Sequence, residues 1–445
     1  MTAARAVGTA RVGTTPADAA PARATAPPTA LRDASWDDAR AAAHRLGERM
    51  AAHRPVAPEL VPLDAAGGRI LAHDLRARAD LPGTAVSAMD GWAVGSCGSG
   101  PWRVGAPVLA GHAPSAVPLG PGDARPIATG APVPPATAGV LRSEHGDVAG
   151  GVLRPNALAP AGGARAGAEI RPAGEEARRG DVLLRAGTRM TAVRLGLAAA
   201  AGHDLLPVGA PCPADVIHLG DEIVARGVPA PGRVRDAIGP ALPALLAACG
   251  LAAGSATRVP DDARATRDAI ARGAIARDAI ARDAIAHGTA PLVVTTGGSS
   301  RGPADHVRAA LDALRARLVV DAVRMRPGHP VMLAELPDGR AVLCLPGNPL
   351  AAVACLLSLA PPLADGLAGR VTPALPRWTA GADLPGGGSS TRLVACALDA
   401  DGRLVPVAAQ GPGMLRGLAA ADALAVVPSA GARAGDPVRA IPLPG

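Results

Sequence analysis

The sequences LVVTTGGSSRGPAD at residues 292–305 and AVLCLPGNPLAA at residues 341–352 decide the fold. In each of them an apolar run, at 292–296 and 341–345, ends in a Gly/Pro turn and continues into an Ala/Leu pattern typical of a helix. This order of strand, tight turn and helix, found twice between residues 290 and 369, predicts an open α/β sheet.

The first turn has the chemistry of an anion-binding site. In an open α/β sheet, ligands bind outside the carboxyl ends of the strands, where a helix start offers unpaired N–H groups and about half a positive charge. Gly297 and Gly298 allow a ligand to approach the backbone. Pro303 is predicted as the first helical residue, with Asp305 in the same first turn.

The second turn, at residues 346–349, has the same character. Asn348 is predicted as the N-cap and Pro349 as the first helical residue. Arg326, in an Arg-Pro-Gly turn between the two, adds a cation. The alternative is that each turn only starts its helix. Two such turns in one α/β unit favour a phosphate or oxyanion site.

The composition limits the number of domains, the kind of core and the class of partner that the chain can have. A chain of 445 residues predicts about two to four domains. It is 49% hydrophobic but has no Tyr, no Phe and four Trp, so Ala, Val and Leu must fill the core and helices must meet through small residues. The formal charge of +7 suits an acidic small-molecule substrate as well as a nucleic acid. Because no cluster of Arg is interleaved with aromatic residues, we predict no nucleic-acid partner.

Cysteine and hydropathy patterns predict a cytoplasmic protein. The six Cys show no paired spacing of a metal site, and Cys344 and Cys355 lie in apolar runs typical of packed thiols. We find no unbroken apolar stretch of about 18 residues and no signal-peptide layout, and so predict no membrane segment.

The remaining segments follow from local patterns. Residues 1–33 are predicted to be a disordered tail, residues 60–77 a strand or turn and then a short helix, and residues 239–249 a helix. A strand at 214–219 delivers Gly220, Asp221 and Glu222 to its carboxyl end, although the two carboxylates alone are also typical of a helix start. The RDAIA repeat at 267–286 spreads its Ile residues around a helix, which predicts a solvent-facing element.

Several of these motifs resemble the molybdopterin molybdenumtransferase family (the MoeA and gephyrin E-domain type). They are TTGGSSRGPAD at 295–305, RPGHP at 326–330 and LPGNPLAA at 345–352. SAMDGWAV at 87–94 is similar to the family's S-A-M-D-G-Y-A-V, and Thr129, Glu176 and the Gly220-Asp221-Glu222 run fall in further family motifs. The resemblance spans residues 35 to 443, in family order.

The resemblance implies a multidomain fold of α/β plus β class. It comprises a central MogA-like α/β domain with a mostly parallel sheet (35–54 and 208–370), a linker domain (55–85 and 170–207), a small β domain (86–169) and a C-terminal β-barrel-like domain (371–445). It also implies a homodimer in which the α/β domain of one subunit faces the small β domain of the other.

The implied reaction is the transfer of molybdate onto adenylylated molybdopterin with release of AMP, assisted by Mg²⁺. The resemblance leaves open molybdoenzymes or other cofactor-biosynthesis proteins as further partners. The catalytic residues it implies are Asp90, Thr129, Glu176, Glu222, Asp261 and Asp305, with Glu222 and Asp305 as metal ligands. The substrate-binding residues it implies are Gly220, Asp221, Gly297, Gly298, Ser300, Arg324, Arg326, Pro327, Gly328, Pro346, Gly347, Asn348 and Pro349.

Several positions depart from the family pattern, and four of them bear on activity. Ala322 stands where the family often has Lys, with Arg324 as a substitute, and His329 stands where a second Lys is common. Ala138 replaces a carboxylate and Pro412 a Ser. These departures leave a second hypothesis, a catalytically weakened pterin-binding paralogue that acts as carrier or scaffold.

Overall fold

The computed structural model describes residues 30–53, 58–279, 290–299 and 305–444, with only the backbone at 272–279. Ser300, Pro303, residues 1–29 and the end of the RDAIA repeat lie outside the described residues.

A sheet of seven strands forms the centre of the α/β unit. In spatial order it contains β1 (Leu31–Ala34), β20 (Arg317–Val323), β22 (Met332–Glu335), β23 (Ala341–Leu345), β19 (Leu292–Thr296), β15 (Cys212–Leu219) and β18 (Leu251–Val259). Only β22 runs against its neighbours, so the mostly parallel sheet is confirmed. Residues 31–33, predicted as part of a disordered tail, belong instead to β1, which pairs with β20 as an edge strand.

Helices cover both faces of this sheet. They are α1 (Trp36–His53), α3 (Leu242–Ala248), α4 (Ala263–Ala279), α5 (Val307–Ala313) and α6 (Pro349–Leu367). Helices α1 and α6 meet through glycines, as the lack of Phe and Tyr predicts. A Cβ atom added at Gly47 would lie 2.2 Å from the Leu363 carbonyl oxygen, and one at Gly366 would lie 2.1 Å from that of His44. No side chain fits at either position.

Helix α6 continues through two prolines. Pro362 has no N–H for the carbonyl of Ser358, four residues earlier. Nη1 of Arg40 on α1 donates to that oxygen at 2.7 Å instead, so the Ser358 carbonyl still has a hydrogen-bond donor. The helix is long and apolar enough to cross a membrane by length and composition, but 89% of its apolar window is buried inside the fold. The prediction that no such stretch exists was wrong, because the prolines do not break it.

Two predictions for helices need correction. Residues 60–77 contain one 3-10 turn (Leu63–Ala65) among short strands in place of a helix. The repeat helix α4 is not wholly solvent-facing, because Ile270 is fully buried against the sheet beside Val307 and Leu311. A spread of Ile around the axis still leaves one of them facing the core.

The N-terminal half forms smaller sheets. One six-stranded sheet contains, in spatial order, β10 (Gly146–Ala149), β11 (Val152–Pro155), β7 (Trp102–Val104), β8 (Asp123–Ile127), β6 (Gly91–Val94) and β9 (Gly139–Arg142). A 3-10 turn (Ser143–His145) joins β9 to β10. The short strands around it are β2 (Glu59–Pro62), β3 (Ile70–Leu71), β4 (Leu75–Arg76), β5 (Val86–Ser87), β12 (Ile170–Arg171), β13 (Val182–Leu184) and β14 (Leu205–Gly209), with helix α2 (Ala192–Ala200). Thr191 caps α2, since its side chain accepts from the N–H of Arg194.

The C-terminal sheet packs against the α/β unit. It contains β21 (Met325–Arg326), β25 (Thr391–Leu398), β27 (Ala423–Val427), β28 (Pro437–Pro442) and β24 (Arg377–Thr379), with β26 (Leu404–Pro406) on β25 and the short helix α7 (Arg416–Ala419). One of its faces joins the main core through Leu393, Leu424 and Ile441. The strand β21, which carries Arg326, thereby ties the Arg-Pro-Gly turn to this sheet.

Candidate functional site

Four parallel strand ends lie side by side at one edge of the central sheet. Thr296 pairs with Leu345 and with His218, and Leu219 pairs with Val259. The turns that follow β18, β15, β19 and β23 therefore share this edge. The two glycine turns are in contact, since a Cβ atom built on Gly347 would lie 3.5 Å from the Cα atom of Gly297.

Not all of the main-chain amides in these turns are open to a ligand. The N–H of Gly297 donates to the Leu345 carbonyl at 3.1 Å, and the N–H of Ala351 donates to the Pro412 carbonyl at 3.2 Å. Among the described residues, no acceptor is paired with the N–H groups of Gly298, Asn348 or Leu350. The anion-binding potential of the turns rests on these groups.

Asn348 occupies the N-cap position of α6, with Pro349 after it, as predicted, but its side chain makes no capping bond. The N–H of Ala351, a usual target of such a cap, is held by Pro412. The exposed Asn348 amide oxygen lies 3.6 Å from the Cβ position of Gly413, in the loop after β26. This leaves the side-chain amide beside the turns, where it can bind a ligand.

The helix after the first turn starts later than predicted. Helix α5 begins at Val307 with His306 at its N-cap position, so Asp305 precedes the helix and does not lie in its first turn. The N–H of Val307 donates to the Gly298 carbonyl at 3.3 Å, which brings the chain at Asp305 back to the glycine turn. Ser300, a predicted ligand, lies outside the described residues.

Carboxylates follow the two strands at the other end of this edge. The Asp221 N–H donates to the Asp261 carboxylate at 3.2 Å, and the Asp261 N–H donates to that of Asp221 at 3.4 Å. The Glu222 carboxylate folds back over Gly220, where a Cβ atom would lie 2.9 Å from Glu222 Oε2. Gly220 also has φ of +126°, so both the space and the backbone conformation exclude a side chain there.

This donor set suits a hard divalent cation. No group of three or more His, Cys, Asp or Glu side chains converges as a metal cluster within the part of the chain that the structure describes. Mg²⁺ does not need one, because it binds through one or two carboxylates together with waters and substrate phosphates. The oxygen ligands at the ends of β15 and β18 fit that requirement.

A buried polar cluster beneath the turns was missed at the sequence level. His218 Nδ1 lies 3.0 Å from the Thr296 hydroxyl, which links the strands that precede the two turns. Burial lowers the pKa of His218, against the attraction of the Asp236 carboxylate. Burial would raise the pKa of Asp236, but the Gly239 N–H and the Arg258 guanidinium hydrogen-bond its carboxylate and hold the pKa below its ordinary value.

The basic residues are distributed differently from the prediction. Arg326 is the register partner of Arg392 on the parallel strand β25, so a second arginine that the sequence did not single out lies beside the Arg-Pro-Gly turn. Arg324 lines another cleft, between α1 and the C-terminal sheet. Ala322 is buried, and His329 Nε2 lies 2.9 Å from Asp33 Oδ1.

Asp90 and Glu176 lie in the N-terminal half. The main-chain N–H of Thr129 donates to Asp90 Oδ1 at 2.6 Å and its hydroxyl does so at 2.9 Å, and these bonds hold the pKa of the Asp90 carboxyl below its ordinary value. Glu176 is exposed, and its N–H donates to the Leu81 carbonyl at 2.9 Å. Asp90 is thus an ionised, oriented carboxylate on the small β sheet.

The fold and the edge define a class of protein, a multidomain α/β protein in which glycine turns and carboxylates gather at the strand ends of the central sheet. Three family models match the chain. They are the MoeA N-terminal region (domain I and II) at residues 34–202, the probable molybdopterin binding domain at 215–365, and the MoeA C-terminal region (domain IV) at 377–443. The chain belongs to the MoeA family of molybdopterin molybdenumtransferases.

Individual relatives agree with that assignment. A molybdopterin molybdenumtransferase of Synechococcus elongatus is 36% identical over 310 residues, which cover 67% of this chain and 73% of that protein. Molybdopterin molybdenumtransferase 2 of Mycobacterium tuberculosis is 31% identical over 333 residues, or 72% and 76% of the two chains. The crystal structure of a molybdopterin biosynthesis MoeA protein from Pyrococcus horikoshii matches with a TM-score of 0.72 at 19% identity, over 92% of this chain and all of that one, which confirms the fold class.

Proposed function

We propose that the chain is a molybdenum insertase, which transfers molybdate onto adenylylated molybdopterin and releases AMP. The observation that carries the proposal is the contact between the Gly297 and Gly347 turns, with carboxylates at the ends of the neighbouring strands. Family membership supports an active transferase over the weakened paralogue, despite the departures at Ala322, His329, Ala138 and Pro412.

Binding and orientation supply most of the proposed catalysis. Molybdate is a tetrahedral dianion and the pterin substrate carries phosphates, so main-chain N–H groups and guanidinium groups suit both. The N–H groups of Gly298 and Leu350 and the Asn348 amide would hold these anions at the edge. Arg326 and Arg392 would add positive charge, and groups fixed in place before the reaction cost no reorganisation during it.

Glu222 and Asp305 are proposed as the residues that would hold Mg²⁺, with Asp221 and Asp261 beside them. When bound, the cation supplies charge neutralisation for the leaving phosphate of AMP. The residues' own part is to present carboxylate oxygens next to the anion-binding turns and to orient the hydrogen-bond donors of the pterin.

We further propose a cytoplasmic homodimer with the domain division implied by the family resemblance. In it, Asp90 and Thr129 of one subunit complete the edge of the other, and Glu176 lies near them. The support is that Asp90 is ionised and oriented by Thr129 but lies on a sheet separate from the turns.

The test is reconstitution with purified protein, adenylylated molybdopterin, molybdate and Mg²⁺, read as activity of a molybdenum-free molybdoenzyme. Asp305→Ala and Asp90→Asn are expected to lose most of the activity. Asp312→Asn is the matched control, since Asp312 is exposed on α5 and outside the edge. An inactive wild-type protein that still binds the pterin tightly would instead support the carrier hypothesis.

Mixing the two inactive variants tests the dimer. In the proposed dimer each site needs Asp305 of one subunit and Asp90 of the other. A dimer of one Asp90→Asn subunit and one Asp305→Ala subunit therefore retains one intact site. Recovery of activity after the variants are mixed and allowed to exchange subunits is expected. Absence of recovery, with exchange verified by mass, would contradict a site shared between subunits.

A further inference from the structure

A second cleft lies between the start of α1 and the C-terminal sheet, away from the glycine turns. Its volume is about 550 Å³, within the range of about 300–1,000 Å³ typical of small-molecule sites. Arg324, Arg377 and Arg439 line it together with Ser389 and Ser429. No residue of the turns at 220–222, 297–298 or 346–349 belongs to its lining.

The acidic residues of the cleft are already engaged. Both oxygens of Asp37 accept from Arg439, at 2.8 and 3.0 Å, and Arg439 also lies over the Trp36 ring at 5.5 Å. The second carboxylate, Asp436, accepts the main-chain N–H of Arg433 at 2.8 Å. These bonds fix Arg439, and Asp37 and Asp436 together balance two of the three guanidinium charges, so the lining keeps a net charge of about +1.

Among the described residues of the cleft, Arg324 and Arg377 belong to no ion pair. Over residues 30–53, 58–279, 290–299 and 305–444, neither guanidinium has a carboxylate within ion-pair distance. The backbone holds Arg324 in place, since its N–H donates to the Ala34 carbonyl at 2.8 Å and its carbonyl accepts from Thr391 at 2.9 Å.

The sheet register adds to this imbalance. Arg377 on β24 and Arg439 on β28 are directly opposite each other in an antiparallel pair. Like charges in that arrangement are destabilising. Asp37 pairs with Arg439 and weakens this repulsion, and an anion beside Arg377 would reduce it further.

We infer that this cleft is a binding site for a small molecule that carries a phosphate group, held by Arg324 and Arg377 with help from the Ser389 and Ser429 hydroxyls. Guanidinium groups bind tetrahedral oxyanions through paired, charge-assisted hydrogen bonds, and hydroxyls complete such a shell. A free oxyanion shares this chemistry, but a cleft of about 550 Å³ has room for a larger body attached to it. The site goes beyond the proposed insertase function: it shares no residue with the turns, and Arg324, which the family resemblance implies as a substrate ligand, lines this cleft.

The experiment measures binding by calorimetry at constant ionic strength, with inorganic phosphate, glycerol 3-phosphate and glycerol as probes. The wild-type protein is expected to bind both phosphate compounds but not glycerol. Arg377→Gln and Arg324→Gln should each weaken that binding about tenfold or more, the usual effect of losing a hydrogen bond to a charged group. Arg154→Gln, which removes an exposed arginine outside the cleft, should bind as the wild type does.

Thermal unfolding gives a second, separately measured readout of phosphate binding. In phosphate-free buffer Arg377→Gln should melt no lower than the wild type, because a like-charge pair is relieved. Phosphate should raise the melting temperature of the wild type and of Arg154→Gln but not that of Arg377→Gln. Ser429→Ala, a smaller change, should weaken phosphate binding without altering the fold.

The outcomes separate the possible ligands. Tighter binding of glycerol 3-phosphate than of phosphate supports a phosphate carried by a larger molecule, whereas the reverse order overturns that part and leaves a free-oxyanion site. Equal phosphate binding by Arg377→Gln and Arg154→Gln, or none by the wild type at millimolar concentration, overturns the inference. Because none of these variants alters the turns, failure here would leave the insertase proposal intact.

Discussion

The close contact between α1 and α6 predicts that one added methyl group, at Gly47, measurably lowers the stability of the fold. In Gly47→Ala the added methyl carbon would lie 2.2 Å from the Leu363 carbonyl oxygen and 2.7 Å from the Leu367 nitrogen. Both are backbone atoms, so no side-chain rotation relieves the overlap. The helices would have to separate by about 1 Å to restore an ordinary contact.

The expected cost follows from two opposing effects. Overpacking of a core costs about 1–3 kcal/mol, and a backbone clash lies toward the upper end. Replacing Gly by Ala inside a helix returns about 1 kcal/mol. We therefore expect a net destabilisation of about 2 kcal/mol, which for a unit of this size lowers the melting temperature by about 4–8 °C.

Scanning calorimetry of the purified variants measures this change, and Gly196→Ala is the matched control. Gly196 lies on the exposed face of α2, where an added Cβ atom meets nothing within 4 Å. That variant should be unchanged or stabilised by up to about 1 kcal/mol. If Gly47→Ala melts at or above the wild-type temperature while Gly196→Ala behaves as expected, the close packing of α1 on α6 is refuted.

Three further predictions concern the charged and sulfur groups. The pKa of Asp236 is lower in the folded than in the unfolded chain, where it is about 4. Ionised Asp236 therefore stabilises the fold above about pH 4, and that stabilisation is lost as the pH falls through the folded-state pKa. Arg258→Gln should therefore raise the pH midpoint of acid unfolding followed by circular dichroism, and an unchanged midpoint would count against the ion pair. Arg40→Met leaves the Ser358 carbonyl without its donor and should cost about 1–3 kcal/mol in urea unfolding, whereas a neutral result would show that another donor replaces it. In thiol titration of the native protein the exposed Cys97 should react first. Burial raises the pKa of Cys249 and Cys344 to about 12 and that of Cys396 to about 11, and it raises the pKa of Cys355 as well, so these four thiols should react slowly. Fast reaction of any of the four would contradict the packing.

Several features could be predicted from the chain alone because their causes are local. The apolar runs at 292–296 and 341–345 are strands with those bounds, and Pro349 begins α6, since strand and helix signals depend on a few neighbouring residues. The lack of Phe and Tyr predicted close helix contacts, and Gly47 and Gly366 provide them. Family motifs were equally readable, because each is a short contiguous string.

Features that depend on residues distant in sequence could not be predicted in this way. Pro412 takes the Ala351 N–H, Arg40 substitutes for a missing donor beside Pro362, and Ile270 is buried although its repeat has no apolar stripe. Each depends on which distant segment packs nearby, and neither periodicity nor spacing contains that information.

The sequence by itself determined the α/β class, the family and the residue types of the edge, because hydrophobic pattern, turn chemistry and motif strings are properties of short segments. Only the tertiary structure decided which amides remain open at the turns, that Arg392 lies beside Arg326, and that Arg324 faces Arg377 and Arg439 across a separate cleft. The physical reason is that hydrogen bonds and ion pairs form between groups that are close in space, and the order of the strands determines which groups are close.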